Sequence, residues 1–266
     1  MEYIVIGGDA RFEALARLLS ERGESVGVVG REACPWACAA DAQALGRAGK
    51  IVVNCPPKAN MSMEDVLNAA SDDAKLFTCG PGHPDATDRR LIDLWTDEAL
   101  LTENARMTAE GALASAMRAS SSALGGMRCM VIGWGRIGRA LTELLVALGA
   151  RVTVCSRTPA GRNRAAERGA EACDTGCIAR SLPGHKLIYN TAPAMLLDAV
   201  ALSHVDSDAM LIDLASPPYG VDLPAAWSLG LRAWREPGLP GRYCPNSAAQ
   251  AILGAIDRQE RGEGSI

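Results

Sequence analysis

Residues 129–139 read Cys-Met-Val-Ile-Gly-Trp-Gly-Arg-Ile-Gly-Arg, an apolar strand running into three spaced glycines and then a helix. A glycine fingerprint alone is weak and gains force only between a strand and a helix, which is where this one stands. Gly133 permits a tight turn out of the strand, Gly135 has no Cβ to hold a pyrophosphate off the backbone, and Gly138 lets the helix pack closely on the sheet. The first N–H groups of that helix then face the phosphates. Leu141, Leu144, Leu145 and Leu148 continue at helical spacing, Gly149 stops the helix, and Arg151–Cys155 reads as the next strand. The expectation is a dinucleotide site, with Gly133, Trp134, Gly135, Arg136, Ile137 and Gly138 around the pyrophosphate.

In NAD-specific sites an Asp or Glu about 20 residues past the fingerprint binds the adenosine ribose hydroxyls. Here the strand ends in Ser156-Arg157-Thr158, with no carboxylate at the tip and with Arg162 and Arg164 beyond. A guanidinium and two hydroxyls suit a 2′-phosphate, so NADP is favoured over NAD. The competing view of Arg157 is a solvated loop cation. Further strands are expected over 186–190 and 210–214. Thr191, Ala192 and Pro193 after the first should lie by the nicotinamide ribose. Leu214 and Ser216, at the end of the second, should flank the nicotinamide ring. Ordinary strand-end turns would use the same residue types.

A chain of 266 residues holds one large or two modest domains. With 48% hydrophobic and 22% charged residues it is an ordinary globular composition. A net charge of −4 without a long basic run gives no reason to expect nucleic acid. No apolar run approaches the roughly 18 residues of a membrane span, and the opening Met1-Glu-Tyr-Ile-Val-Ile reads as a strand, so a cytoplasmic protein without a signal peptide is expected. Nine scattered cysteines then read as reduced thiols. Cys34/Cys38 and Cys173/Cys177 share one spacing, but no second pair or nearby His completes a zinc site, so no metal is expected.

The first half alternates strands and helical stretches. Strands are expected at 3–6, 25–29, 51–54 and 75–78, and a helix after Gly7-Gly8-Asp9 carries Phe12, Leu15, Ala16, Leu18 and Leu19 on one side. Such alternation predicts a doubly wound parallel sheet, whose ligand crevice forms at the strand C-termini. Asp9, Arg11, Asn54, Lys58 and His83 become candidates by that position alone. Residues 103–124 are rich in small side chains and suit a long helix, ended by Gly125-Gly126; a last strand is expected over 231–234 and a last helix over 247–258. The fold class is therefore α/β: two doubly wound, Rossmann-like parallel-sheet domains joined by long helices, with an interdomain cleft. Residues 1–102 would form the substrate domain, completed by helices at 103–124 and 245–260, and 126–241 the cofactor domain.

An ordered set of segments carries a family resemblance. It comprises Gly7-Gly-Asp-Ala-Arg11, Glu103-Asn-Ala105 with Thr108-Ala-Glu-Gly111, Gly133-Trp-Gly-Arg-Ile-Gly138, Asn190-Thr-x-Pro193, Leu211-Ile-Asp-Leu-Ala-Ser216 and Gly238-Leu-Pro-Gly241. Together they resemble the A subunits of dipicolinate synthases over essentially the whole chain. Two segments depart from that family: Pro217-Pro218-Tyr219-Gly220 stands where Pro-Gly-Gly is usual, and Pro245-Asn-Ser-Ala-Ala249 where Pro-x-Thr-Ala-Gly is usual.

The resemblance implies NADP-dependent oxidation of a dihydrodipicolinate to dipicolinate during sporulation, in the mother-cell cytoplasm of a spore-forming bacterium. It also implies a second, flavodoxin-like protein, the B subunit of dipicolinate synthase; homo-oligomers are an open option. A planar dicarboxylate heterocycle asks for cations or backbone donors at both ends. Asp9, Arg11, Asn54, Thr108 and Ser216 are the candidates for substrate binding, and Glu110, His83 and Lys58 for acid/base work, with Glu103 behind them. Arg11 could instead be an exposed first-turn residue, and Glu110 part of a polar helix face.

Three rivals remain. A 2-hydroxyacid dehydrogenase shares the two-domain plan but needs an imidazole late in the cofactor domain, and the chain has only His83, His185 and His204. A shikimate or methylene-tetrahydrofolate type dehydrogenase could use Lys58, though its turn after Asn54 is short for that role. A non-catalytic NADP-binding regulator would lack converging charges in the first domain.

Overall fold

Short aliphatic runs, each closed by glycine, proline or a polar residue, form parallel strands throughout the computed structural model, which describes residues 1–30, 37–57, 61–81 and 87–262. Lys58, His83 and Cys34 lie outside the described residues. The chain divides into two compact units, Met1–Asn104 with Pro240–Ile266, and Ala105–Leu239.

The first unit contains β1 (Tyr3–Ile6), α1 (Ala10–Glu21), β2 (Val26–Val29), β3 (Cys38–Ala40), α2 (Ala42–Leu45), β4 (Lys50–Asn54), α3 (Met63–Ala69), β5 (Lys75–Cys79), β6 (Leu91–Asp93) and the start of α4 (Glu98–Ala119). Its six strands run in the order β3-β2-β1-β4-β5-β6, all neighbours parallel. Successive side chains of a strand face opposite sides. Val5, Val52 and Phe77 therefore meet Phe12, Leu15 and Leu19 on one face. Ile4, Ile6, Ile51 and Val53 meet Leu45 and Val66 on the other. Burial on both faces is why these strands read as continuous apolar runs.

The second unit contains β7 (Arg128–Ile132), α5 (Arg136–Ala147), β8 (Arg151–Cys155), α6 (Pro159–Glu167), β9 (Glu171–Cys173), α7 (Ile178–Ser181), β10 (Leu187–Asn190), α8 (Ala199–Leu202), β11 (Met210–Asp213), α9 (Leu223–Ser228) and β12 (Arg232–Arg235). The order β12-β11-β10-β7-β8-β9 repeats the winding of the first sheet. In both sheets the order reverses beside the first strand, between β1 and β4 and between β7 and β10, and ligands bind outside the strand C-termini at such switch points. The chain closes with α10 (Leu239–Tyr243) and α11 (Pro245–Glu260), and α11 packs Ile252, Leu253 and Ile256 into the core beside α1. Among the described residues no helix is long and apolar enough to cross a membrane.

The expected elements differ from the observed ones in two respects. β3, β6 and β9 were not expected: each is a three-residue strand at a sheet edge, too short to show a period. The long helix runs Glu98–Ala119 rather than 103–124. It starts early because the Asp97 carboxylate accepts the Leu100 N–H at 2.7 Å, an N-terminal cap. It stops early because Ser120 turns its hydroxyl to the backbone N–H of Ser122 at 3.0 Å, competing with helical hydrogen bonding.

Asp97 also anchors α11. Arg258 donates to it through Nε at 2.7 Å and Nη2 at 2.8 Å, and only 6% of the Asp97 side chain is exposed. Hydrogen bonding from Arg258 holds the Asp97 carboxyl below its usual range. A depressed carboxylate contributes stability that is present above its unfolded pKa, about 3.9, and is lost as pH falls through the lower folded value. Arg258→Ala should lower stability by about 3 kcal/mol in urea unfolding at pH 7, and the difference from the parent chain should shrink on acidification below about pH 4.

Candidate dinucleotide and active site

The turn after β7 is built on missing side chains. Gly133 sits at φ 103°, a conformation L side chains rarely adopt. A Cβ there would lie 2.5 Å from Thr191 Oγ1, and a Cβ on Gly138 would lie 2.2 Å from the Gly133 carbonyl oxygen. Thr191 closes the turn from the neighbouring strand end: its N–H donates to Ile132 O at 2.8 Å and its hydroxyl to the same oxygen at 2.9 Å. Gly135 is different, because nothing lies within 4 Å of the place its Cβ would take. It is the N-cap of α5 and offers no side chain to the helix N–H groups. Open space before uncapped N–H groups is a fit for a phosphate.

At the tip of β8 the backbone is held from below. Arg162 donates to Ser156 O at 2.8 Å and Arg157 O at 3.1 Å and pairs with Asp174. Arg162 is thereby engaged in bracing the loop, while Arg157 is exposed. Asp174 is the residue that sequence inspection missed. It stands beside the tip only because β9 pairs with β8 in the register Cys155↔Cys173. Thr158 caps α6 by accepting the Gly161 N–H at 3.1 Å. A Cβ on Gly161 would touch Ser156 Oγ, Thr158 Oγ1 and Trp134 Cδ1 at 2.4, 2.9 and 3.3 Å, so these three groups converge. The Trp134 indole Nε1 is buried and has no hydrogen-bond partner among the described residues. An unmade hydrogen bond of this kind is unfavourable by about 1–3 kcal/mol, so the donor favours any ligand that brings an acceptor.

These residues surround a cavity of about 450 Å³, the size of a cofactor subsite. Gly133, Trp134, Ser156, Arg157, Thr158, Ala192 and Pro193 line it, with Cys155, Thr175, Ala194 and Leu196, which the sequence did not single out. Thr191 supports the turn from behind. Arg136 is exposed in the first turn of α5 and Ile137 half-buried. Leu214 is buried, its N–H bonded to Asn190 O at 2.8 Å, and is absent from the cavity wall.

The loops after β10 and β11 are cross-braced by a fully buried carboxylate. Asp213 accepts from Asn190 Nδ2 at 2.8 Å, Ala215 N at 3.2 Å and Gly220 N at 3.4 Å, and Arg235 Nε faces it at 3.5 Å. Arg235 also lies 3.6 Å from the Tyr219 ring centroid, and Tyr219 holds φ 67°, an outlier for a bulky residue. Ser216 is exposed just before this turn.

In the first unit Asp9 caps α1 and binds Arg11 in a two-bond fork, Nε to Oδ1 at 2.9 Å and Nη2 to Oδ2 at 2.7 Å. Arg11 is largely buried, its side chain 14% exposed, and so is not a solvated first-turn residue. Asn54 is buried and donates to Pro56 O at 2.7 Å. Thr108 and Glu110 do not share a face of α4. Two positions apart, they differ by about 200° around the helix; Thr108 is buried, whereas Glu110 is exposed and pairs with Arg106. Glu103 is exposed on the same helix. His185 is buried between Leu182 O and Thr153 Oγ1, each at 3.1 Å, and His204 bonds Val200 O at 2.9 Å.

Residues 99–216 match the family described as D-isomer specific 2-hydroxyacid dehydrogenase, NAD binding domain. The chain is 30% identical over 170 residues to the A subunit of dipicolinate synthase from Bacillus subtilis, an alignment covering 64% of this chain and 57% of that relative. The structural likeness is longer. The solved A subunit of the Bacillus halodurans dipicolinate synthase superposes with a TM-score of 0.84 at 25% identity, covering 97% of this chain and 96% of that one. The solved A subunit of the Bacillus subtilis enzyme gives 0.81 at 26% identity, over 98% and 95%.

The glycines allow binding to be separated from folding. Gly135→Ala, at φ −80° with open space around it, should leave the melting temperature unchanged while weakening dinucleotide binding about tenfold or more in calorimetry. Gly138→Ala should lower both. With a dinucleotide cavity at the switch point of its second sheet, the chain has the two-sheet architecture of NAD(P)-dependent dehydrogenases and is similar in structure from end to end to the A subunits of dipicolinate synthases.

Proposed function

We propose that this chain oxidises a dihydrodipicolinate to dipicolinate with NADP as acceptor, as the A-type subunit of a dipicolinate synthase. The observation that carries this reading is the end-to-end structural likeness to two dipicolinate synthase A subunits.

The chemistry of the cavity supports NADP. Arg157, with the Ser156 and Thr158 hydroxyls and the unpaired Trp134 N–H, forms a donor set suited to a 2′-phosphate. The fingerprint turn would hold the pyrophosphate, and Thr191, Ala192 and Pro193 the nicotinamide half. When bound, the dinucleotide supplies the nicotinamide ring that takes a hydride. The chain's own task is alignment of the substrate and removal of one ring proton. Asp9 fixes the Arg11 guanidinium in one orientation through two of its nitrogens, so Arg11 meets a substrate carboxylate pre-organised. Asn54, Thr108 and Ser216 would complete substrate binding. Glu110, His83 and Lys58 are the groups proposed for the proton. Glu110 must leave Arg106 to take it, which favours the loops after β4 and β5, where Lys58 and His83 stand in the sequence.

By the same reading the chain acts during sporulation, in the mother-cell cytoplasm, beside the flavodoxin-like B subunit of the synthase. A 2-hydroxyacid dehydrogenase is the second reading, favoured by the match over residues 99–216. Its catalytic imidazole has no counterpart in His185 or His204, whose ring nitrogens engage local partners away from the cavity.

Turnover decides between them. The purified chain, alone and with a candidate flavodoxin-like partner, receives freshly generated dihydrodipicolinate and NADP or NAD, and dipicolinate and reduced cofactor are followed together. Equal amounts of both products with NADP support the proposal; no product in any mixture, with dinucleotide binding intact, overturns it. Arg157→Ala should raise KM for NADP roughly 10- to 100-fold, the worth of a charge-assisted hydrogen-bond set, and leave KM for NAD unchanged.

A further inference from the structure

Three described cysteines that form no disulfide gather at the adenosine end of the dinucleotide cavity. Cys155 closes β8 and lines the cavity. Its register partner, Cys173, closes β9. Cys177 follows in the single turn Thr175–Cys177. Register partners on adjacent strands stand roughly 5 Å apart, within the Cα separations of about 4.4–6.8 Å that disulfides span. Their side chains project from the same face, and Cys173 packs against the buried cluster that contains Cys155. β9 is a three-residue edge strand, so it has only one neighbour to resist a small closing movement.

The two sulfurs are unequal. The neighbouring Cys155 thiol and the nearby charge of Arg162 hold the Cys173 thiol below its usual range. Burial instead pushes Cys79 and Cys129 up to about 12. Cys173 is also partly exposed, whereas Cys155 is fully buried. One thiol is therefore the more acidic and the more reachable, and the other is adjacent and buried. This is the arrangement of an attacking and a resolving cysteine.

We propose that Cys155 and Cys173 form a reversible, hydroperoxide-driven disulfide that closes the adenosine end of the dinucleotide cavity. The Cys173 thiolate attacks one peroxide oxygen, the O–O bond breaks, and the departing oxygen takes a proton to leave as water or an alcohol. Cys155 sulfur then displaces the hydroxyl of the resulting sulfenic acid, and its proton leaves with that hydroxyl as water. Two thiols have supplied two electrons to one peroxide, and a dithiol reductant reverses the linkage. The backbone carries the effect to the site. Cys155 O accepts the Gly133 N–H at 2.9 Å and Cys173 O accepts the Ser156 N–H at 3.0 Å. Drawing the two residues together shifts the carbonyls that hold the fingerprint turn and the tip of β8. Because the Cys155 end of β8 lines the cavity, a bound dinucleotide rests against it and opposes the closing movement.

The gating rests on the cofactor assignment of this cavity; the disulfide itself does not. In the test, the reduced full-length chain is exposed to hydrogen peroxide with and without saturating NADP or NAD, alkylated, and mapped by peptide mass spectrometry. Dinucleotide affinity is measured in parallel by calorimetry. The expected result is a linked peptide pair containing Cys155 and Cys173, lighter by about 2 Da than the two thiols. Affinity should fall about tenfold or more and return with dithiothreitol, and bound dinucleotide should slow the linkage. Cys173→Ser, on the partly exposed edge strand, should abolish it. Cys155→Ser should leave a Cys173 sulfenic acid that dimedone traps, and Cys177→Ser should change nothing. A Cys173–Cys177 link, no link, or a Cys155–Cys173 link with unchanged affinity would overturn the proposal. Failure of the reduced chain to bind either dinucleotide would overturn the cofactor assignment and the gating together, while the peptide map would still read the thiol pair.

Discussion

The approach of α5 to the end of β7 is the constraint on which the second unit depends. A methyl group on Gly138 would stand 2.2 Å from the Gly133 carbonyl, so the helix can aim its N–H groups at the crevice only while that position has no side chain. The same closeness recruits β10, since Thr191 bonds Ile132 O and fills the space beside both glycines. From Thr191 the bracing continues through Asn190 to Asp213, and from Asp213 to the loop ending at Gly220. A cofactor cradle must be held rigidly to select its ligand. Here one close contact between backbones, and a chain of hydrogen bonds leading from it, hold three strand ends in a single arrangement.

The two sheets share one winding order but have opposite switch-point chemistry. After β7, Gly135 leaves open space before an uncapped helix. After β1, the corresponding N-cap position is taken by Asp9, whose carboxylate already caps α1. A helix N-terminus that carries its own anion has little affinity for a second one. The first unit is thus unsuited to a pyrophosphate, and its part-buried Asp9–Arg11 pair presents a single oriented guanidinium. A shared topology therefore yields one dinucleotide-binding unit and one whose charged groups suit a small anion, through a handful of loop residues.

Elements whose pattern repeats were legible in the sequence. The runs Tyr3–Ile6 and Arg151–Cys155 occur as strands with the expected bounds, because burial on both faces leaves an uninterrupted apolar signature. The edge strands β3, β6 and β9 were not legible, since three residues carry no period. The long helix was legible in kind but shifted by about one turn. Its start is set by the Asp97 cap and its end by Ser120, and both act through side-chain geometry rather than composition.

The candidate site shows the same division, most clearly among its arginines. Arg157 stands at the end of the second strand, with Arg162 and Arg164 just beyond it, and the sequence favours Arg157 as the phosphate ligand only by its place at the tip. Structure separates Arg162 from Arg157 through a residue no local window includes: Asp174, brought in by the edge strand β9, pairs with Arg162 and turns it into a brace for the carbonyls of Ser156 and Arg157. A guanidinium already satisfied by a carboxylate and two carbonyls has few donors left for a ligand. Arg157, whose carbonyl is held while its side chain is exposed, keeps its charge available at the rim of the cavity. The edge strand that sequence could not reveal thus determines which of the two guanidinium groups is occupied as a brace. It also carries Cys173, so the element least visible in the sequence bears on both the affinity of the cavity and its sensitivity to oxidation.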